Sequence, residues 1–376
     1  ISQSFNWGGF FRGVSFNDSI YDIGSIYIEL DAMHKKTNDQ ILNYDDLRLN
    51  ESAHFMAFIR DFYADLKIDL RKISSPKMVL NGRIHEDCLL SNNLTFLRSL
   101  SKEQKALINS DTNLNNDHNQ FHPSKKTEWP VSYSLDEVSR MNHGDFFHIN
   151  IIEPFIQKLT NQRSRDMSAK YHRLLWVPMY YPQTILDSLD SDTTSLMVTD
   201  FYYPHNQCYC DVINDIMSNI NASNVYSSTD LSFTDLENYL TNNSVWTLPL
   251  NSLLASKHIA VPAFDAETIG CVFLSFHRRF LTQDISSLFI IDHDIPFYRI
   301  TNLTAMKTSQ SDDIKLALEF NVNFSFEMLD INQLKKMRDD VFHWLRELNL
   351  ISSHCEFFEC HVKVFRHALK IPTFQK

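Results

Sequence analysis

Glycine is scarce in this chain and unevenly placed. Seven of the 376 residues are glycine, and Gly8, Gly9, Gly13 and Gly24 all fall near the start. Glycine costs backbone entropy wherever it sits, so a chain this poor in it has reason to keep it where a side chain does not fit. The doublet Gly8-Gly9 leads through Phe10-Phe11-Arg12 into a short strand, and Tyr21-Asp22-Ile23-Gly24-Ser25 follows.

Composition sets the class. Hydrophobic residues make up 43% and charged residues 22% of the chain, as in an ordinary globular protein. The length allows a sizeable core and suggests two interleaved domains. A formal net charge of −11 argues against a general affinity for nucleic-acid phosphates. It leaves room for a local basic pocket that takes an anionic small molecule. No apolar run approaches the roughly 20 residues of a membrane span, and no signal peptide stands at the start given, so a cytoplasmic location is expected.

The six cysteines do not make a metal site on their spacing. Cys208 and Cys210 are one residue apart, and Cys355 and Cys360 are flanked by His354 and His361. Zinc sites use more regular pairs, so buried free thiols are the reading and no metal is expected. No Gly-x-Ser-x-Gly elbow and no P-loop occurs. His277-Arg278-Arg279 reads as a solvated strand end or a small anion patch.

Strands are expected at Gly13–Phe16 and Ile26–Ile28, and a helix from Ala53 to Leu66 on its 3–4 apolar spacing. Met78–Ile84 reads as a hairpin, because Asn81-Gly82 supplies the positive φ values of a tight turn. Ser110–Trp129 is polar and without period, so an exposed loop is expected there. Ser134 should cap a helix, with Glu137 completing a capping box, and a further helix is expected over Phe146–Leu159. In the second half, Cys210–Met217 reads as a helix and Val245–Leu250 as a strand. Cys271–Phe276, Leu288–Ile291, Tyr298–Thr301 and Leu316–Val322 also read as strands. Asp330–Leu348 is the longest expected helix, with Leu334, Met337, Val341, Leu345 and Leu348 on one stripe.

Six segments, in order, carry a family resemblance. They are Gly8-Gly9 with Asp22-x-Gly24, Asn81-Gly82-Arg83, and Ser134 through Gly144-Asp145-Phe146-Phe147 to Pro154-Phe155. Tyr203-Pro204, Trp246-Thr247-Leu248-Pro249-Leu250 and Asp294-Ile295-Pro296-Phe297-Tyr298-Arg299-Ile300-Thr301 complete the set. On these the chain resembles the flavin-dependent oxidoreductases that include UDP-galactopyranose mutases, protoporphyrinogen oxidases and amine oxidases. The mutase-like branch, which acts on nucleotide sugars for surface polysaccharides, fits best. The resemblance spans most of Gly8 to Pro372.

It implies an α/β fold in which an incomplete three-layer FAD/NAD(P)-binding domain interleaves with an α+β substrate domain containing an antiparallel sheet. Residues 1–50 and 203–276 would form the remnant FAD-binding part, and 51–202 with 277–376 the substrate part. FAD is the implied cofactor, with Gly8, Gly9, Arg12, Gly24 and Ser25 near it; Arg12 reads equally as a solvated surface arginine. The implied partner is a nucleotide sugar or another small molecule. The implied substrate residues are Arg299, gripping a diphosphate with its planar fork, with Tyr298 and Phe297 beside it. Arg299 also reads as a structural arginine paired with Asp292 or Asp294, Tyr298 and Phe297 as core, and Glu319 as a half-exposed ion-pair partner.

Departures from the family pattern are specific. Ser25 stands where the mutases place a histidine, and His205-Asn206-Gln207 replaces glycines after Tyr203-Pro204. Asn161-Gln162-Arg163 occupies the stretch where the mutases hold a uracil-stacking aromatic. The Gly-rich turn that seats a pyrophosphate is missing before Gly8, and the closing glycine segment is missing after Pro372. Because the chain opens on Ile1, a truncated start is expected. Three functional classes follow: a flavoenzyme in an incomplete chain, an inactive paralogue that binds a sugar nucleotide or a protein, and an assembly protein with an aromatic surface.

Overall fold

The computed structural model describes residues 28–34, 64–65, 67–86, 94–116, 133–169, 185–186, 188–189, 197–205, 218, 266–305, 312–325 and 331–371. Along the chain the elements run β1 (Ile28–His34), β2 (Leu70–Ile73), β3 (Lys77–Leu80), β4 (Arg83–His85), α1 (Lys102–Asn116), α2 (Leu135–Phe147) and α3 (Glu153–Thr160). Then follow β5 (Met197–Pro204), β6 (Ala266–His277), β7 (Ser287–Ile290), β8 (Arg299–Asn302), β9 (Asp313–Asn321), α4 (Ile331–Glu347) and β10 (Glu359–Lys370). The chain divides into two compact units, Ile1–Asp22 with Gln207–Phe264, and Ile23–Asn206 with Asp265–Lys376. All of these elements belong to the second unit.

A seven-stranded sheet in the order β10-β6-β9-β8-β7-β3-β4 organises this unit. Every pairing in it is antiparallel except β3 with β7. A separate antiparallel sheet has the order β1-β5-β2. Residues 266–276, read from the sequence as part of the cofactor layer, form most of β6, second in the large sheet.

Side chains alternate between the faces of a strand, and the two faces of this sheet differ in chemistry. One face is apolar: Val272, Leu274, Ile290, Ile300, Leu318 and Phe320 share a core cluster with Met337, Val341 and Leu345 of α4. Met337, Val341 and Leu345 of the stripe expected on Asp330–Leu348 therefore lie on the buried face of α4; each fully buried aliphatic side chain contributes about 1.5–3 kcal/mol. Gly270 lies opposite Phe320 in the register, and a Cβ built on it would sit 2.1 Å from the ring. The ring lies where a side chain would be, which is why the strand carries glycine there.

Local signals place the hairpin and the helix start. Asn81 and Gly82 have φ of 55° and 68°, as a two-residue mirror-image turn requires, and they join β3 to β4. Ser134 accepts from the Glu137 N–H while the Glu137 carboxylate accepts from the Ser134 N–H, so the capping box is complete. The helix expected over Phe146–Leu159 is composite: α2 ends at Phe147, a π turn spans His148–Ile152, and α3 continues.

The loop expected over Ser110–Trp129 needs correction. α1 runs through Ser110 to Asn116, and residues 117–132 lie outside the described ones. Ile108 and Thr112, four apart, are both fully buried, and the Asp111 carboxylate accepts from the Phe146 N–H at 2.9 Å. Among its described side chains one buried apolar residue, Ile108, and hydrogen-bonding groups anchor this helix, which shows no hydrophobic period. β10 also escaped the sequence reading. It is half-buried, mixes charged and apolar residues, and breaks register between Phe365 and Leu369. The expected elements at 13–16, 210–217 and 245–250 lie outside the described residues, as does most of 53–66. No described helix is long and apolar enough to cross a membrane.

Candidate functional site

The second face of the large sheet buries polar groups. Cross-strand register sets Lys363, Cys271, Glu319, Arg299, Phe289 and Met78 side by side across six strands. The alternation that sends Val272, Leu318 and Ile300 into the core sends this row the other way. Thr301, Ser287 and Ser275 extend the polar character, all of them buried.

A buried charge persists only when it is paired and hydrogen-bonded, and here the pair is Arg299 with Glu319. The Arg299 Nε and Nη2 groups donate to Glu319 Oε1 at 3.0 and 2.5 Å. The Tyr298 hydroxyl donates to Oε2 at 2.8 Å. Both charged side chains are nearly closed to solvent, at 3% and 8% exposure. Burial first, and the Glu319 carboxylate second, push the Tyr298 hydroxyl well above its ordinary pKa. The same two causes, in the same order, raise the Cys271 thiol. Tyr298 therefore stays a donor, and Cys271 a thiol rather than a thiolate.

The three implied substrate residues separate. Arg299 and Tyr298 converge on one carboxylate. Phe297 belongs to the apolar core on the other side of the sheet, its ring edge-on to Phe320 at 6.1 Å. Two expectations are corrected: the structural partner of Arg299 is Glu319, not Asp292 or Asp294, and Glu319 is buried rather than half-exposed. The pairing was hidden because it depends on the register of β8 against β9. Gly8, Gly9, Arg12, Gly24 and Ser25 lie outside the described residues.

Asp292 has another task. Its carboxylate accepts from the Asn81 and Gly82 N–H groups at 2.6 Å each, so the hairpin turn is tied to the segment after β7. Lys158 holds the same segment from inside. It is fully buried, and its ammonium group donates to the carbonyls of Ile290 and Asp292. Burial lowers its pKa to about 7, against smaller opposing effects of Asp292 and Asp294. Nothing in the sequence marked Lys158, although it sits among Phe155, Ile156 and Leu159 on a helix otherwise bound for the core. Beside this segment a surface cleft of about 620 Å³ is lined by Asn81, Asp292, Asp294, Ile295, Trp344 and Glu347, among others. Three carboxylates make it a poor seat for a diphosphate.

No protein-family model matches the sequence, and no curated relative matches it. Solved structures do. The chain is similar to a reduced UDP-galactopyranose mutase with a TM-score of 0.59 and 12% identity, over 84% of this chain and 71% of that one. It is similar to a candidate protoporphyrinogen oxidase from Exiguobacterium sp. 255-15 with a TM-score of 0.53 and 13% identity, over 91% of this chain and 79% of that one. At such identities the likeness is one of fold. The group named from the sequence motifs is the group whose fold this divergent chain has.

Proposed function

We propose that this chain works as a flavin-dependent enzyme of the oxidoreductase or nucleotide-sugar mutase kind, with Arg299 and Tyr298 on its substrate side. The observation that carries the reading is the fold likeness to the mutase, joined to a buried polar face in the sheet that bears the Asp-x-Pro-aromatic-aromatic-Arg motif. Flavin, when bound, supplies redox or nucleophilic chemistry at its ring; the protein's part is binding, orientation and electrostatics. Gly8, Gly9, Arg12, Gly24 and Ser25 are the proposed cofactor contacts, with residues 1–50 and 203–276, less the β6 segment 266–276, as the cofactor layer. Glu319 would fix the guanidinium plane of Arg299, and the Tyr298 hydroxyl would fix Glu319. An anionic, diphosphate-bearing small molecule would then meet a cation whose orientation is already set. A role in surface polysaccharide synthesis and a cytoplasmic location belong to the same proposal.

One observation favours a second reading, that of an inactive paralogue which binds a nucleotide sugar or a protein partner without turnover. The Nε–Nη2 edge of Arg299 is committed to Glu319, so a diphosphate must compete with a carboxylate for it. The absorbance spectrum of the protein, purified from its complete reading frame, separates the readings. A bound-flavin spectrum supports the enzyme, and a colourless protein that takes up no added FAD removes it. Calorimetric titration with UDP-sugars then tests Arg299. Binding that disappears in Arg299→Gln supports its place on the substrate side, and unchanged affinity takes it away.

A further inference from the structure

Away from the sheet, the composite helix gathers three metal-ligating side chains. His148 opens the π turn, and the Glu153 N–H closes it on the His148 carbonyl. On an α-helix two residues five apart diverge by about 140°; the wider π turn brings them to one face. Asp136, in the first turn of α2 and on the far side of the non-helical Gly144, completes the group. His148 Nε2 lies 3.0 Å from Asp136 Oδ1 and 3.7 Å from Glu153 Oε2, and the ligand atoms of all three fall within 4.8 Å of one another.

We propose that Asp136, His148 and Glu153 bind one divalent transition-metal ion, Zn²⁺ in the first instance. Donors at about 2.0–2.2 Å from one ion stand about 3.0–3.5 Å apart, so closing the site moves a carboxylate by roughly 1 Å. One imidazole and two carboxylates suit Zn²⁺ ahead of Mg²⁺ or Ca²⁺. His148 is fully buried while the carboxylates are 26% and 20% exposed, so the site has a rigid floor and an open side for water ligands. Burial, the largest effect, holds the imidazole below its ordinary pKa and keeps the ring neutral, as a ligand must be. Arg140 pairs with Asp136 and with Asp145, and with Glu153 counted the carboxylates outnumber that cation by two, a balance a dication would offset.

Ser164 donates its N–H to Glu153 Oε2 at 3.2 Å and sets its hydroxyl 3.3 Å from His148 Nε2, but the charged competitor is Arg140. Its Nε donates to both oxygens of Asp136 at 3.0 Å, but its Nη1 already donates to Asp145 at 2.6 Å. The guanidinium keeps a carboxylate when Asp136 turns to the ion. His148 Nδ1 has no hydrogen-bond partner, and metal on Nε2 puts the ring proton there. That unmatched donor sets the expected affinity in the micromolar range rather than below it.

The test is calorimetric titration of chelator-treated protein with ZnCl₂, with CoCl₂ added separately for its absorption spectrum. The expected result is one ion per chain, a Co²⁺ spectrum free of thiolate charge-transfer bands, and affinity at least tenfold weaker in Glu153→Gln. Arg140→Gln should bind at least threefold more tightly, since the competing cation is gone. Circular dichroism checks that both variants fold; if Glu153→Gln does not, Arg140→Gln decides. No saturable uptake, Co²⁺ bound through sulfur alone, or affinity that neither variant changes would overturn the site and leave an ion-pair network.

Discussion

Arg299 and Glu319 face each other across β8 and β9, and one oxygen of Glu319 takes two donors from Arg299 while the other takes the Tyr298 hydroxyl. Removing one member strands a buried charge. Glu319→Leu should therefore lower stability by about 3–5 kcal/mol, whereas Arg299→Met combined with Glu319→Leu should lose clearly less, because no charge is left alone. Urea unfolding of the two singles and the double checks this. A double variant as unstable as the sum of the singles would show that the pair is not coupled.

Gly270 makes the apolar face as sensitive as the polar one. Gly270→Ala forces a methyl group against the Phe320 ring, and overpacking of this kind costs about 1–3 kcal/mol. Phe320→Leu opens space but loses ring packing. The two changes together should cost less than their sum, and thermal melts of the three variants read the coupling. Additive losses would mean that the ring moves aside freely.

How far the sequence discloses this fold depends on how far apart the cooperating residues lie. Asn81-Gly82 and Ser134 with Glu137 were legible because turn and cap act within a few residues. The stripe on α4 and the strands around Leu288, Tyr298 and Leu316 were legible because period alone marks a buried face. Glu319 falls within an expected strand, yet its pairing with Arg299 arises from strand register 20 residues away and has no local signature. Lys158 looked like any helical lysine, and only the carbonyls of Ile290 and Asp292 reveal why it is buried. His148 and Glu153 share a face because a π turn intervenes, and Asp136 joins them across the break in the helix at Gly144, neither of which helical spacing anticipates.

The capping box offers a local measure of stability. Ser134→Ala removes the acceptor for the Glu137 N–H and the hydroxyl that donates to the Glu137 carboxylate. Loss of such a cap costs about 1 kcal/mol. Ser134→Asp keeps an acceptor and should lose less, despite standing near Glu137. Chemical denaturation of both variants tests the order; equal losses would deny the cap its role.

Lys158 should write itself into the pH dependence of stability. Its folded pKa is about 7 against an ordinary 10.5. Between these values the unfolded chain holds more protons than the folded one, so stability rises with pH across that window. Above it the amine is neutral in both states and the penalty vanishes; below about pH 7 it is charged in both and the penalty is complete. The slope attributable to this one group approaches about 1.4 kcal/mol per pH unit inside the window. Lys158→Met has no proton to gain. Its unfolding free energy, measured from pH 7 to 9.5, should rise less steeply than that of the wild type by up to that slope. Parallel curves would mean that the buried ammonium stays charged throughout, held by the carbonyls of Ile290 and Asp292.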